Sequence, residues 1–328
     1  MTTYKEIFGK YVKNYSSDPS SDIEGQVWYN STTGVFKSQV LTAAVWASGG
    51  NMGTARNFLA SAGTQTAGLG FGGRVATTNQ SATEEYDGST WTGGGNLGTA
   101  RYLFAGAGTQ TAGLGFGGIT TVNVANTEEY DGSAWTGGGN LGTARQGPGG
   151  AGTQTAGLAF GGFGGAGPAL TTATEEYDGS TWTGGGNMGT ARYILAVGGA
   201  GTQTSALGFG GKTTVVVANT EEYDGSAWTA GGNLNTGRRL FAGAGTQTAA
   251  LAAGGEATST SFVTNTEEYN GTSWTNSTPL ATGRQGLAGA GTQTAGLAFG
   301  GVITGPTLSN ATEEFTGATL TTETITTS

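Results

Sequence analysis

The sequence predicts an all-β fold in which short four-stranded antiparallel sheets are arranged radially about an axis, a β-propeller. Three observations predict it. First, one unit recurs six times: "GTQT" begins at positions 63, 108, 152, 201, 245 and 291, and "TEEY" or "TEEF" at 83, 127, 174, 220, 266 and 312. A repeat of about 40–50 residues suits one propeller blade. Second, each unit divides into four strand-like runs, and none shows the period of a helix. Third, "AGLGFGG" (112–118) alternates large with small residues, so that Leu114 and Phe116 share one face and Gly113 and Gly115 the other. A sheet with one wet face would alternate apolar with polar. Large alternating with small suits a sheet buried on both faces, with the large side chains of one unit filling the glycine hollows of the next.

The elements follow in chain order. "YKEIFGKYVKNY" (4–15) places Tyr4, Ile7, Phe8 and Tyr11 on one helical stripe that continues to Val12 and Tyr15, and predicts a short N-terminal helix. "QVWYNSTTGVFKSQ" (26–39), carrying Trp28 and Tyr29, reads as a hairpin. Residues 1–45 thus form an N-terminal extension and 46–328 the propeller. In the second unit the strands are expected at 102–108, 111–118, 126–130 and 133–136. The small "GAG" (106–108) suits an innermost strand, where sheets crowd around the axis. Asp131-Gly132 predicts a tight hairpin turn with both residues at positive φ. Two segments compete for the outermost strand that closes the ring: "AAVWASGG" (43–50), with Trp46 at the fourth-strand position, and the C-terminal "ATLTTETITTS" (318–328).

Composition narrows the function classes. Glycine is 66 of 328 residues without the period of collagen, and aromatic residues at fixed phase argue against a flexible linker. A net charge of −9 with 13 Lys and Arg in no basic run argues against nucleic acid and anionic membranes. Cysteine and histidine are absent. That removes thiol nucleophiles, the commonest general base and the commonest metal ligands, and no metal or cofactor is expected. The N-terminus carries no apolar run of the length a signal peptide or membrane span needs.

The repeated "TEEYDGSTW" (83–91 "TEEYDGSTW", then close copies) looks catalytic at first sight, because it packs three carboxylates with Tyr and Trp. A glycosidase needs one carboxylate pair in one cleft, whereas these are spread around a ring. The aspartate also drifts, from Asp87 to Asn270 and Thr316. The repeat therefore reads as architecture, with one glutamate of each pair expected to meet an arginine such as Arg101. The six glutamines from Gln65 to Gln293 are expected to ring one channel mouth, where they satisfy turn backbone or hold water or an ion. Between the second and third strands the copies disagree: "RVATTNQSA" (74–82), "ITTVNVAN" (119–126), "FGGAGPALTTA" (163–173), "KTTVVVAN" (212–219), "EATSTSFVTN" (256–265) and "VITGPTLSNA" (302–311). These variable loops share one face and are the expected recognition surface. Candidate contact residues there are Arg74, Asn79, Asn123, Pro168, Leu170, Val216, Phe262 and Pro306.

The Gly117-Gly118 pair, the "EEYD" strand, the spacing of Tyr130 and Trp135, and Arg145 opening the next unit together resemble the kelch repeat over about residues 46–316. The departures are Leu320 in place of the last tryptophan and Ala253 in place of a phenylalanine. The resemblance implies a six-bladed kelch-like propeller in which Arg101, Tyr130, Trp135 and Arg145 are structural. The copper site of galactose-oxidase-like relatives needs histidine and cysteine, which this chain lacks. The run "GAGTQTAGLGFGG" (106–118) and the N-terminal "EGQVWYNSTTGVFKS" (24–38) are also similar to kelch-like proteins and attachment segments of marine bacteriophages. That resemblance implies a non-enzymatic virion protein, a tail fibre or surface appendage, made in the host cytoplasm. Tyr4, Ile7, Phe8, Tyr11, Trp28 and Tyr29 would attach it to other virion proteins or to further copies of itself, a trimer in the manner of fibres. The loops would meet a host glycan or surface protein. The alternatives are a decoration or fibre subunit with no ligand, and a carbohydrate-active propeller enzyme using a loop carboxylate such as Glu256.

Overall fold

The computed structural model describes residues 12–19, 23–165, 169–193, 200–258, 261–305 and 307–326. All regular structure among them is β, and no helix occurs. The chain divides into two compact units, residues 46–316 and residues 1–45 with 317–328.

In the larger unit the described residues form six four-stranded antiparallel sheets, one for each repeat. In the second, Ala105–Gly108, Gly113–Phe116, Thr127–Tyr130 and Trp135–Gly137 lie side by side in chain order. The registers Ala105↔Phe116, Gly115↔Glu128 and Tyr130↔Trp135 fix the side chains that share each face. First strands neighbour one another in sequence order, and that of the sixth sheet neighbours that of the first. They enclose a cavity of about 150 Å³ lined by residues such as Ser61, Gly106, Ala151, Gly201, Ala244 and Gly289.

Large-on-small packing joins neighbouring sheets, as the alternating pattern implies. Leu69 approaches Gly113 so closely that a Cβ there would lie 2.8 Å from its Cδ2, and Phe71 meets Gly115 at 2.9 Å. One repeat later, Leu114 meets Gly157 at 2.6 Å and Phe116 packs beside Ala159. Each large side chain fits closely because its partner has no side chain, or only a methyl group, to displace, which favours the close packing of a protein interior.

Two turn expectations change. Tyr130 pairs with Trp135, so the connection is a four-residue loop rather than a two-residue turn. Only Gly132 has positive φ, at 90°. Asp131 instead accepts hydrogen bonds at Oδ1 from the backbone N–H of Ser133 and Ala134, both 2.8 Å, and that Asx turn shapes the loop. Asn270 makes the same two contacts through its amide oxygen, so the drift from Asp to Asn keeps the geometry. The glutamines, expected at a channel mouth, act as staples. Gln110 Nε2 donates to the carbonyls of Gly68 (3.1 Å) and Tyr86 (2.7 Å) of the preceding repeat, and Gln65, Gln154, Gln203, Gln247 and Gln293 do likewise.

The competition between chain ends is decided. Val45–Ser48 forms the fourth strand of the sixth sheet, beside Thr312–Thr316. Thr319–Thr324 instead pairs with Val35–Thr42 in the smaller unit, so residues 317–328 belong with the N-terminal segment rather than with the repeats. In that unit Lys13–Tyr15 lies parallel to Val27–Asn30, which pairs antiparallel with Val35–Thr42 through a turn ending at Gly34. The expected helix is corrected at its C-terminal end, where Lys13–Tyr15 is a strand because its backbone pairs with the hairpin. Tyr4, Ile7, Phe8 and Tyr11 lie outside the described residues. Asp18 organises the unit: it accepts from Trp28 Nε1 (3.2 Å) and Asn30 Nδ2 (2.8 Å) and pairs with Lys37 (2.7 Å). These contacts, the Lys37 hydrogen bond first, hold its carboxyl below the usual range.

Candidate functional site

The repeated acidic motif is consumed by the scaffold. In each repeat the first glutamate pairs with the arginine that opens the same repeat: Arg56 with Glu84 (3.0 Å), Arg101 with Glu128 (3.2 Å), Arg145 with Glu175 (2.6 Å), Arg192 with Glu221, Arg238 with Glu267, and Arg284 with Glu313 (2.9 Å). Glu84 therefore meets Arg56 and not Arg101, because the arginine reaches back into the sheet whose first strand it precedes. Arg101 also donates to the carbonyls of Gly115 (3.1 Å), Gly117 (3.1 Å) and Asn126 (2.6 Å). Glu128 Oε2 takes the N–H of Gly98 at 2.6 Å. These guanidinium groups are fully buried, and burial lowers their pKa while the glutamates raise it.

The second glutamate points to the neighbouring repeat. Tyr130 donates its hydroxyl proton to Glu85 (2.5 Å), Tyr177 to Glu129 (2.5 Å), Tyr223 to Glu176 (2.5 Å), Tyr269 to Glu222 (2.5 Å), and Tyr86 to Glu314. Burial, reinforced by the glutamate acceptor, pushes each of these tyrosines up to about 12. Trp135 donates to Thr83 (2.9 Å) and stacks 4.7 Å from Phe71. Tyr130 and Trp135 are thus parts of the inter-sheet packing, whereas Arg101 and Arg145 bind within their own repeats.

The variable loops are more ordered than their sequences suggest. Arg74–Val75 with Thr78–Asn79, and Glu256–Thr258 with Ser261–Phe262, are small hairpins. Phe163–Gly164 and Ala169–Leu170 form another, extended by Arg145–Gln146. Asn79 Nδ2 donates to Thr120 O (3.1 Å) and Asn123 Nδ2 to Phe163 O (3.0 Å), so each ties its loop to the next. Leu170, Val216 and Phe262 are half-buried on this face, while Pro168 and Pro306 lie outside the described residues. Arg74 lies over the ring of Tyr102, 4.7 Å from its centroid. Glu256, the loop carboxylate on which an enzyme would draw, is buried and paired with Arg239 at 3.0 Å. Of the attachment candidates, Trp28 is fully buried within its own sheet and Tyr29 packs 5.2 Å from Phe36.

Sequence reasoning missed a feature of the same face. Two residues after five of the six opening arginines the chain takes left-handed φ, at Phe58 (55°), Leu103 (51°), Gly147 (58°), Leu240 (56°) and Gly286 (64°). Their backbones link head to tail: Phe58 N–H donates to Gly286 O (2.8 Å), Leu103 to Phe58 (3.0 Å), Gly147 to Leu103 (2.7 Å) and Gly286 to Leu240 (2.8 Å). Gly147 and Gly286 were the available signal, but a glycine-rich sequence hides it.

This geometry defines a β-propeller. The chain is similar to the solved structure of a protein called YjhT, with a TM-score of 0.69 and 13% identity, over 83% of this chain and 99% of that one. No protein-family model matches the chain. No curated protein matches it.

Proposed function

We propose that the chain is a six-bladed, kelch-like bacteriophage virion protein without enzymatic activity, a tail fibre or surface appendage. It presents its variable loops for host-surface or subunit contact. The observation that carries the non-enzymatic reading is the fate of the carboxylates. The first glutamate of every repeat is held by a buried arginine, and the second, in five of six copies, by a tyrosine. Sequence variation is left to the loop face.

Attachment through the smaller unit is supported by where apolar side chains reach solvent. Of the eight exposed large hydrophobic residues among the described residues, six (Ile23, Val27, Val40, Leu41, Val45 and Ile325) belong to that unit. Such clustering marks interaction surfaces. The phage setting itself rests on the resemblance of the repeat and of residues 24–38. Immunogold labelling of purified particles with an antibody to this chain tests it: labelled tails or fibres are expected, and particles that assemble normally without the chain and never carry it would overturn the proposal.

A further inference from the structure

The repeats serve as internal controls for one another, and one side chain fails to fit them. The chain has eight arginines, and seven are paired with a glutamate. The eighth, Arg74, has no carboxylate partner and donates no side-chain hydrogen bond to any described residue. Its Nε is buried without an acceptor. The other arginines share the orphan Nε, but their terminal nitrogens are engaged. The terminal nitrogens of Arg74 have no acceptor among the described residues and are not buried, so they are the donors that a ligand can reach.

Arg74 follows the Gly72-Gly73 pair, and the residues at that place in the other repeats are Ile119, Phe163, Lys212, Glu256 and Val302. A structural role would recur, and this one does not. The guanidinium is fixed in place: it lies 4.7 Å over Tyr102, which in turn sits 6.2 Å from Phe58. The glutamates of its own repeat and of the next are committed elsewhere, Glu84 to Arg56, Glu85 to Tyr130, Glu128 to Arg101 and Glu129 to Tyr177. An anion held by Arg74 would therefore come from outside the chain.

We propose that Arg74 and Tyr102 form the anchor of a binding site for an acidic saccharide, with the guanidinium holding the carboxylate of a uronic-acid residue. The neighbouring groups are neutral and hydrogen-bonding. Gln80 Nε2 is bound to Thr78 O and Asn79 Nδ2 to Thr120 O, which leaves their amide oxygens as acceptors for sugar hydroxyls. A single uncompensated guanidinium suits one carboxylate and is too little charge for a nucleic acid. Planar bidentate pairing makes arginine, rather than lysine, the suited residue.

The site stands whether or not the chain belongs to a virion, and it is tested on the purified full-length protein by calorimetric titration with oligogalacturonate, a neutral malto-oligosaccharide and a glutamate-rich peptide. Binding of the uronate alone is expected, weakened about tenfold or more by Arg74→Ala and by Arg74→Lys, with a tenfold change equivalent to about 1.4 kcal/mol. Lys212→Ala, which removes a cation elsewhere on the same face, should leave it unchanged. Both Arg74 variants should melt like the parent, since neither touches a glutamate pair. Uronate binding no tighter than that of the neutral sugar or the peptide, or retained by Arg74→Lys at full strength, overturns the proposal.

Discussion

In five of the six sheet junctions a glycine faces a tyrosine hydroxyl. A Cβ at Gly49, Gly94, Gly138, Gly185 or Gly231 would stand 2.5, 2.6, 2.5, 2.7 or 2.8 Å from the hydroxyl of Tyr86, Tyr130, Tyr177, Tyr223 or Tyr269. At the sixth junction the alignment of repeats puts Ser277 where the glycine would be, and Phe315 where the tyrosine would be. The two departures are one event: the serine Cβ fits because the phenylalanine has no hydroxyl. Gly94→Ser should therefore force apart Tyr130 and Glu85, whose Oε1 would lie 3.0 Å from the new Cβ. Overpacking of this kind costs about 2 kcal/mol. Tyr130→Phe alone loses a hydrogen bond to a carboxylate, worth about 1.5 kcal/mol. The double variant recreates the Ser277–Phe315 arrangement, so it should cost about 2 kcal/mol rather than the additive 3.5, a coupling of about 1.5 kcal/mol. Urea unfolding of the four proteins measures the cycle. Strict additivity would refute the steric coupling, and so would a Gly94→Ser protein as stable as the parent.

Three further outcomes follow from the same geometry. Because the five buried tyrosines have folded pKa values near 12, above the ordinary value near 10, their contribution to stability is complete below about pH 10 and lost as pH rises through about 12. Tyrosinate absorbance and circular dichroism followed together should show these groups titrating late and with unfolding, and titration near pH 10 in an intact fold would contradict it. Glu175→Ala leaves Arg145 buried and unpaired and should cost about 3–5 kcal/mol in urea unfolding, against less than about 1 kcal/mol for alanine at the exposed Asp178. Ala76 is exposed and holds φ at 49°, so Ala76→Gly should raise the unfolding free energy by up to about 1 kcal/mol.

Most of the repeat unit is legible in the sequence because its signals are periodic and local. Alternation in 112–118 gives the face of every large residue, and the spacing of Tyr130 and Trp135 gives the outer hairpin. What escapes is set by partners distant in the chain. Nothing near Glu84 says that its arginine is Arg56 and not Arg101, since both lie one strand-length or more away. Gln110 reads as a turn residue until the carbonyls of Gly68 and Tyr86 are seen beside it. Tyr15 ends a stripe with helical spacing, yet its backbone is recruited by Val27–Asn30, a case of tertiary pairing overriding local pattern. Arg74 could be singled out from the sequence only as one member of a variable loop. Its lack of a partner becomes visible once every other arginine has found one.

The closing junction gathers the departures from the repeat, and that has a mechanical consequence. Elsewhere the tryptophan of each sheet stacks on the phenylalanine of the preceding one: Trp135 on Phe71, Trp182 on Phe116, Trp228 on Phe160, Trp274 on Phe209 and Trp91 on Phe299, all at 4.7–4.9 Å. Between the fifth and sixth sheets Trp46 instead joins a cluster containing Ala253 and Leu287, and Phe315 cannot staple Glu268. That junction keeps the Trp46–Thr266 hydrogen bond (3.0 Å), the Gln293 amide contacts and the Gly286–Leu240 backbone link. It lacks both the tyrosine–glutamate hydrogen bond and the tryptophan–phenylalanine stack that the other five junctions have. Covalent continuity does not set the junctions apart, since residues 278–287 lead from the fifth sheet to the sixth as residues 49–59 lead from the sixth to the first. Strain on the ring should then open this seam first, and installing Gly at 277 with Tyr at 315 is the substitution pair that the other five junctions specify for closing it.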